Sequence, residues 1–172
     1  MPFTKINLNT DTLGITHSIQ KYKNSGFKMS KVNPRHTNTF LQEKPEFTQF
    51  CKLVEKQFPL DYKIINLWAT FQEAGEYTGI HNHTSGGVGN NQVTPEYSFC
   101  YYLHDINETG ALLFHDKANP TFCKTEFPRS GDLYIFKSDV LHSTQPNLNG
   151  FVRYCIAGNV GRAQCLRKET QD

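Results

Sequence analysis

The segment Gly75–His83 reads Gly-Glu-Tyr-Thr-Gly-Ile-His-Asn-His, and a third histidine, His142, follows it about sixty residues later. Strand side chains alternate between two faces, so His81 and His83 can turn toward one metal only if the chain bends between them. Two glycines in the segment allow such a bend where a strand runs into a loop. Imidazole nitrogen binds borderline divalent metals well. The pattern therefore predicts an iron site, with zinc less favoured, at His81, His83 and His142. The alternative is three unconnected surface or core histidines.

Short strands dominate the sequence on both sides of this segment. Tyr62–Gln72 is rich in β-branched and aromatic residues, which favour strands. Four further runs, each bounded by turn residues, follow it: Tyr97–Leu103, Ala111–Phe114, Leu133–Phe136 and Phe151–Ala157. Strands that are not separated by helices are typical of an antiparallel sandwich or barrel. The sequence therefore predicts a mainly β fold.

The N-terminal third has a different pattern. Pro45–Phe58 is the clearest helix, because Pro45 suits a first turn and apolar residues recur at three- and four-residue spacing. Phe3–Leu8 is expected to form a short strand and Asp11–Tyr22 a weaker helix. Neither repeats nor a linker interrupt the chain. We therefore expect a single domain over residues 1–172, with residues 1–60 supporting a β core at 62–160.

Composition narrows the classes of function. The formal net charge of +2 and the scattered basic residues do not favour nucleic-acid binding. No apolar run reaches membrane-spanning length, and the N-terminus has no secretory pattern. The five cysteines are odd in number and include no C-x-x-C pair, which indicates reduced thiols rather than a disulfide framework. We expect a cytoplasmic protein without a membrane partner, and the oligomeric state stays open.

Two stretches resemble the motifs of the cupins. Gly75, five residues and then His-x-His are similar to the opening of the first cupin motif. Gly131–His142, with its glycine, strand, turn and histidine, resembles the second. The glutamate that usually follows the first motif is absent here.

A closer resemblance is to the iron(II)- and 2-oxoglutarate-dependent oxygenases, especially the prolyl-hydroxylase-like members and the small phage and bacterial members. The chain carries segments similar to the family's tyrosine-bearing strand, Gly-Gly-x-Leu-x-Phe turn, Pro-x-x-Gly strand, distal histidine and arginine, in that order. These segments are Ser98–Leu103, Thr109–Phe114, Pro128–Phe136, His142–Pro146 and Arg153–Ile156. The resemblance spans Trp68 to Val160 and leaves the N-terminal third uncovered.

This resemblance implies a double-stranded β-helix, also called a jelly roll, and an enzyme. Such an enzyme binds Fe(II) and O2, decarboxylates 2-oxoglutarate oxidatively to succinate and CO2, and hydroxylates a substrate. The strand set does not imply proline as the substrate, because fold and function separate freely. A small molecule or a peptide is expected.

Arg153 is the residue that distinguishes this family from other cupins. It lies eleven residues after His142, as expected if it sits on the next strand beside the metal. A guanidinium can bind a carboxylate through two parallel hydrogen bonds, which lysine cannot do. The resemblance implies that Arg153 binds the distal carboxylate of 2-oxoglutarate, with the Tyr102 hydroxyl as second donor. Alternation turns Tyr101 to the opposite face. The alternative for Arg153 is a surface ion pair at a strand end.

The ligand set departs from the family's usual two histidines and one carboxylate, because His81 is followed two places on by His83. A three-histidine site is the simplest outcome. The alternatives are that Asp116, Asp139 or Glu76 supplies a carboxylate from elsewhere. His104 and His115 are spare ligand candidates, and both are expected instead to support a metal ligand from outside the coordination sphere or to lie at the surface.

Further residues are expected around the site. Alternation places Trp68, Thr70 and Gln72 on one face, where they would line the cosubstrate or substrate pocket, although core packing is the default for Trp68. Asn159 is expected to face the metal region. The Gly/Asn-rich loop Thr84–Thr94 is either a lid or a plain hairpin loop.

Two other functions stay open on the sequence. One is a three-histidine cupin-type dioxygenase that binds its substrate directly to iron without 2-oxoglutarate. The other is a non-enzymatic β-sandwich whose histidines hold zinc or nothing.

Overall fold

The computed structural model describes residues 2–26, 32, 34–84, 95–107 and 109–163. No helix in these ranges is both long enough and apolar enough to span a membrane. The elements in chain order are β1 (Phe3–Asn7), α1 (Thr12–Lys21), β2 (Arg35–His36), two 3-10 turns (Leu41–Glu43 and Pro45–Phe47), α2 (Thr48–Glu55), β3 (Tyr62–Gln72), β4 (Tyr97–Tyr102), β5 (Leu112–His115), β6 (Cys123–Glu126), β7 (Asp132–Lys137), β8 (His142–Thr144) and β9 (Arg153–Arg162).

The strands form two antiparallel sheets. The larger has six strands in the order β1-β7-β4-β9-β3-β2, and the smaller has three in the order β6-β5-β8. An apolar cluster joins the sheets, with Tyr102, Tyr134 and Phe136 from the larger and Leu112 and Phe114 from the smaller. The prediction of a mainly β, antiparallel fold is confirmed.

The outer face of the larger sheet carries the helices. Ile19 of α1 and Phe50 and Val54 of α2 belong to a second apolar cluster with side chains of β3, β4, β7 and β9. Tyr101 points into this cluster, and its hydroxyl hydrogen-bonds the Thr10 hydroxyl. Because neighbouring strand residues face opposite ways, Tyr102 lies between the sheets, as expected.

The helix over Pro45–Phe58 is shorter than predicted. Pro45–Phe47 is a 3-10 turn and α2 ends at Glu55. The backbone N–H groups of Gln57 and Phe58 bond carbonyls three residues back, so the last turn tightens before Pro59. The weaker helix at Asp11–Tyr22 is present as α1, where the Asp11 carboxylate accepts a hydrogen bond from the Gly14 N–H at 2.9 Å.

Strand β3 has the predicted bounds, whereas β9 differs from the run Phe151–Ala157. It begins at Arg153 and continues to Arg162 through two glycines and an asparagine, which are poor strand formers. Tertiary packing holds this extension, because a Cβ on Gly158 would lie 2.5 Å from the Phe99 ring. The extended β9 pairs with β3 along its whole length and with β4.

Candidate metal centre and anion pocket

His81 and His142 are neighbours across the chain rather than along it. They form an isolated antiparallel bridge, and each backbone N–H bonds the other's carbonyl at 3.0 Å. The N–H of His83 instead bonds the Ser138 carbonyl at 2.8 Å, in the turn before β8. The chain therefore changes partners between the two histidines, which lets both imidazoles face the same side.

The three imidazoles converge. One nitrogen from each of His81, His83 and His142 lies within 4.8 Å of the others. The ring centroids are 4.2 Å apart for His81 and His142 and 5.1 Å for the other two pairs. The structure thus brings together the three residues that the sequence selects, in an arrangement that one ion could bridge.

Hydrogen bonds orient two of the rings. Nδ1 of His81 lies 2.8 Å from the Gly79 carbonyl oxygen, and Nδ1 of His142 lies 3.0 Å from that of Val140. A carbonyl can only accept, so both Nδ1 atoms carry the proton and both Nε2 atoms offer lone pairs, that of His142 lying 3.3 Å from Nε2 of His83. Burial lowers the pKa of all three histidines, and that of His83 falls to about 3. They are therefore neutral at pH 7, the form that binds metals.

No acidic side chain joins this cluster in the part of the chain that the structure describes. Asp116 accepts hydrogen bonds from backbone N–H groups in an exposed turn, and Asp139 pairs with Lys117. Glu76 is buried, and its carboxylate accepts from the Glu73 N–H at 2.9 Å. Three neutral ligands fit Fe(II) and would leave its full double positive charge uncompensated, which favours an anionic co-ligand.

The two spare histidines also lie outside the cluster. His104 packs edge-on against Phe151 and Tyr154. The Nε2 atom of His115 lies 2.7 Å from the Ser143 hydroxyl, beside the site rather than in it.

A cavity opens beside the three histidines. Strands β3 and β9 form one wall, with Trp68 opposite Ala157, Thr70 opposite Cys155, and Gln72 opposite Arg153. The lining residues are Trp68, Thr70, Gln72, Thr78, His81, His83, Cys100, Tyr102, Leu112, His142, Ser143, Thr144, Arg153, Cys155 and Ala157.

Arg153 is a buried cation at one end of the cavity. Its side chain belongs to a residue that is 1% exposed, and it donates one hydrogen bond, from Nη1 to the Gly110 carbonyl. No carboxylate among the described residues forms a salt bridge with it. Burial lowers the pKa of the guanidinium, although nearby Tyr102 opposes this. A buried charge is costly unless it is paired, so the end of the cavity at Arg153 is suited to an anion.

Tyr102 lies in the same cavity and is 1% exposed. Burial is the first cause of its raised pKa, so the hydroxyl keeps its proton and can donate. The cysteines beside it, Cys100 and Cys155, are buried as expected but also line the cavity. A hydrogen bond to Cys155, together with burial, raises the pKa of the Cys100 thiol.

Some cavity residues were not singled out by the sequence. Thr144 lies two residues beyond His142 on β8, and period-two alternation finds it only once β8 is known to be a strand. Thr78 lies within the opening segment but carries no distinctive signal. Asn159 does not line the cavity; its side-chain oxygen accepts from the Ser98 hydroxyl at 2.7 Å. Trp68 does line it, with its ring 5.7 Å from that of His83. Residues 85–94 of the expected loop lie outside the described residues.

Neither a protein-family model nor a curated protein sequence matches the chain. Solved structures do match it. HygX from Streptomyces hygroscopicus with iron bound has a TM-score of 0.66 and 14% identity, covering 94% of this chain and 82% of that one. The α-ketoglutarate-dependent carbocyclase SnoK from nogalamycin biosynthesis gives 0.70 and 12%, covering 92% and 79%. A prolyl-4-hydroxylase from Pseudomonas putida gives 0.64 and 14%, covering 94% and 92%. At these identities the likeness establishes the fold, and the expected double-stranded β-helix is confirmed.

Proposed function

We propose that the protein is an iron(II)- and 2-oxoglutarate-dependent oxygenase that hydroxylates a small-molecule or peptide substrate and converts 2-oxoglutarate to succinate and CO2. The observation that carries this proposal is the buried guanidinium of Arg153, which has no carboxylate partner among the described residues and lies in the same cavity as three converging histidines. A metal site alone does not require a buried cation beside it. A cosubstrate with a carboxylate at each end can bind the metal at one end and Arg153 at the other.

The spacing inside the cavity suits such a cosubstrate. His142 and Thr144 lie on the same face of β8, two residues apart, which is about 7 Å along a strand. The Thr144 hydroxyl hydrogen-bonds Gln72, which lies opposite Arg153 on β9. The Arg153 end is therefore connected to the metal ligands through Gln72 and Thr144, as expected for a ligand with a carboxylate at each end.

Charge balance supports the same assignment. Three neutral imidazoles and one guanidinium make the cavity strongly positive once a divalent metal is bound, and no acidic residue of the described ranges lines it. A dianion balances this charge. A cupin-type dioxygenase that needs no cosubstrate would leave Arg153 uncompensated, and so would a zinc-binding β-sandwich. Among the structurally similar proteins, HygX has been solved with nickel and 2-oxoglutarate bound.

The chain's own residues would have distinct tasks in this reaction. His81, His83 and His142 would hold the metal from one side and leave the cavity side open. Bound Fe(II) would supply the activation of dioxygen that drives oxidative decarboxylation. Arg153 and the Tyr102 hydroxyl would fix the far carboxylate and thereby the approach of the 2-oxo group. Apolar side chains of the lining, such as Leu112, would exclude water.

The test is anaerobic addition of Fe(II) and 2-oxoglutarate. We expect a weak visible charge-transfer band and, after oxygen is admitted, succinate. His142→Ala should lose both while keeping its fold, and His17→Ala, which alters an exposed histidine on α1, should lose neither. Succinate formation by His142→Ala at the parent rate would refute the ligand assignment. Oxygen uptake without any 2-oxoacid would favour the cupin-type dioxygenase, and a lack of metal retention the non-enzymatic sandwich.

A further inference from the structure

Gln72 is a buried amide whose hydrogen-bonding capacity is only half used. It is 2% exposed and lines the cavity. Its Nε2 donates to the hydroxyls of Thr78 at 2.8 Å and Thr144 at 3.1 Å. Its Oε1 is buried and has no hydrogen-bond partner in the part of the chain that the structure describes. Buried polar atoms are almost always hydrogen-bonded, so this orphan oxygen marks a place where a partner is missing.

Turning the amide over would make the unpartnered end a donor instead of an acceptor. The oxygen and nitrogen of a glutamine amide are nearly interchangeable in shape, and the hydrogen-bond network decides between them. Both threonine hydroxyls can donate as well as accept. The Thr144 hydroxyl already accepts from the Thr78 N–H at 2.9 Å, which leaves its own proton free to donate. In the turned orientation Oε1 accepts from both hydroxyls, and the NH2 group takes the place of the orphan oxygen.

The place that the NH2 group would occupy is next to Arg153. Gln72 and Arg153 are directly opposite on β3 and β9, and both side chains line the cavity. Directly opposite residues have Cβ atoms about 4.5–5.5 Å apart. A carboxylate offers roughly four lone-pair positions, of which a guanidinium fork uses two. An amide NH2 beside the fork can use a third.

We infer that Gln72 binds the distal carboxylate of the cosubstrate together with Arg153, with its NH2 group toward the ligand and its oxygen held by Thr78 and Thr144. This inference rests on the proposed function. The two threonines flank the metal ligands, since Thr78 precedes His81 and Thr144 follows His142. The same amide thus links the carboxylate subsite to both metal-binding segments and makes the site selective for 2-oxo diacids.

Gln72→Glu separates this role from a structural one. A glutamate oxygen can accept from both threonine hydroxyls, so the link between the segments is kept. Its second oxygen then meets the ligand carboxylate with a like charge instead of a donor, and it competes with that carboxylate for Arg153 directly opposite. We expect the affinity for 2-oxoglutarate, measured by calorimetry on the anaerobic Fe(II) protein, to fall at least about a hundredfold. The Fe(II) affinity should stay within about threefold of the parent.

The cosubstrate analogue 2-oxopentanoate, which lacks the distal carboxylate, provides the internal comparison. Its weaker binding should be unchanged in Gln72→Glu, because no carboxylate meets the new charge. Gln57→Glu, which adds the same charge at an exposed position, should bind both compounds like the parent. Equal 2-oxoglutarate affinity in Gln72→Glu and the parent would overturn the inference. Failure of the parent itself to bind 2-oxoglutarate would instead overturn the proposed function.

A measurement on the unaltered protein guards against a variant that does not fold. In the zinc-loaded chain, the side-chain amide protons of Gln72 should shift downfield and exchange more slowly with solvent when 2-oxoglutarate is added. Addition of 2-oxopentanoate should leave them in place. Amide signals that respond equally to both compounds, or to neither, would refute the assignment.

Discussion

Replacement of Arg153 by methionine should separate a cation kept for ligand binding from one kept for stability. Methionine retains much of the stem's volume and removes the charge. In most proteins, loss of a buried arginine breaks a salt bridge and destabilises the fold by about 3–5 kcal/mol. Here the guanidinium has no carboxylate partner in the described part of the chain. We therefore expect Arg153→Met to stabilise the ligand-free protein instead of destabilising it.

The magnitude follows from two opposing effects. Keeping one ion out of water costs several kcal/mol even after relaxation, and Arg153→Met removes this cost. The variant also leaves the buried carbonyl of Gly110 without its partner, which costs about 1–3 kcal/mol. The net expectation is a gain of about 1–3 kcal/mol in the free energy of unfolding. At this chain length, each kcal/mol raises the melting temperature by about 2–4 °C.

Whereas the stability of Arg153→Met should rise, its affinity for 2-oxoglutarate should fall. Two charge-assisted hydrogen bonds from the guanidinium contribute about 3–6 kcal/mol together, so the Kd for 2-oxoglutarate should rise by about two to four orders of magnitude. At a concentration 100 times the parent's Kd, 2-oxoglutarate stabilises the parent by about 2.7 kcal/mol, and Arg153→Met by almost nothing. Arg153→Lys should retain Fe(II) and lose much of the affinity, because an ammonium cannot form the fork.

The assay is thermal and denaturant unfolding of metal-loaded parent and variants, with and without 2-oxoglutarate. The reasoning is refuted if ligand-free Arg153→Met is less stable than the parent by more than about 1 kcal/mol, the typical change for a point mutant. It is refuted equally if the variant keeps the parent's 2-oxoglutarate-induced rise in melting temperature. The first result would make Arg153 structural, and the second would place the carboxylate elsewhere.

Three further expectations concern the same cavity. Gly110→Ala places a Cβ 2.7 Å from Nη1 of Arg153 at a φ of +79°, so calorimetry should show weaker 2-oxoglutarate binding, and denaturation a loss of about 1–2 kcal/mol. Gly150→Ala, with open space around its Cβ, should change neither. Trp68 is the only tryptophan and its ring lies 5.7 Å from that of His83, so Ni(II) bound at the histidines should quench the tryptophan fluorescence. A quench that survives in His83→Ala would contradict the placement of the metal beside Trp68. Because burial lowers the pKa of His83 from 6.5 to about 3, the unfolded chain binds a proton there that the folded one does not. Denaturation of the metal-free protein should therefore show stability falling as pH drops from 6.5 toward 3, and a flat profile would contradict it.

Period-two alternation explains how much of this site can be inferred from sequence. Once Tyr62–Gln72 is taken as a strand, Trp68, Thr70 and Gln72 must share a face, and the structure places all three in the cavity. The same rule separates Tyr102 from Tyr101. These inferences succeed because alternation is a property of the strand itself and does not depend on its neighbours.

The features of the site that the sequence does not predict depend on contacts between distant segments. The bend between His81 and His83 arises because their backbones pair with different residues, His142 and Ser138. Strand β8, His142–Thr144, is three residues long and contains two hydroxyl side chains, so no local pattern indicates it. Pairing with β5 and the bridge to His81 create it.

The contribution of Arg153 to stability also depends on contacts between distant segments. The sequence shows that residue 153 is an arginine, and the resemblance implies its role. Whether a strand arginine forms a salt bridge, however, depends on the position of every carboxylate in the fold. Arg153 contacts Gly110, and the described acidic residue nearest to Gly110 in sequence is Asp105. The Asp105 carboxylate accepts a hydrogen bond from the Ser130 N–H at 2.8 Å. Because no carboxylate of the described residues pairs with this buried cation, its burial lowers the stability of the fold, and a bound anion would remove that deficit. That deficit is why the ligand-free stability of Arg153→Met, rather than its loss of activity, distinguishes a binding arginine from a structural one.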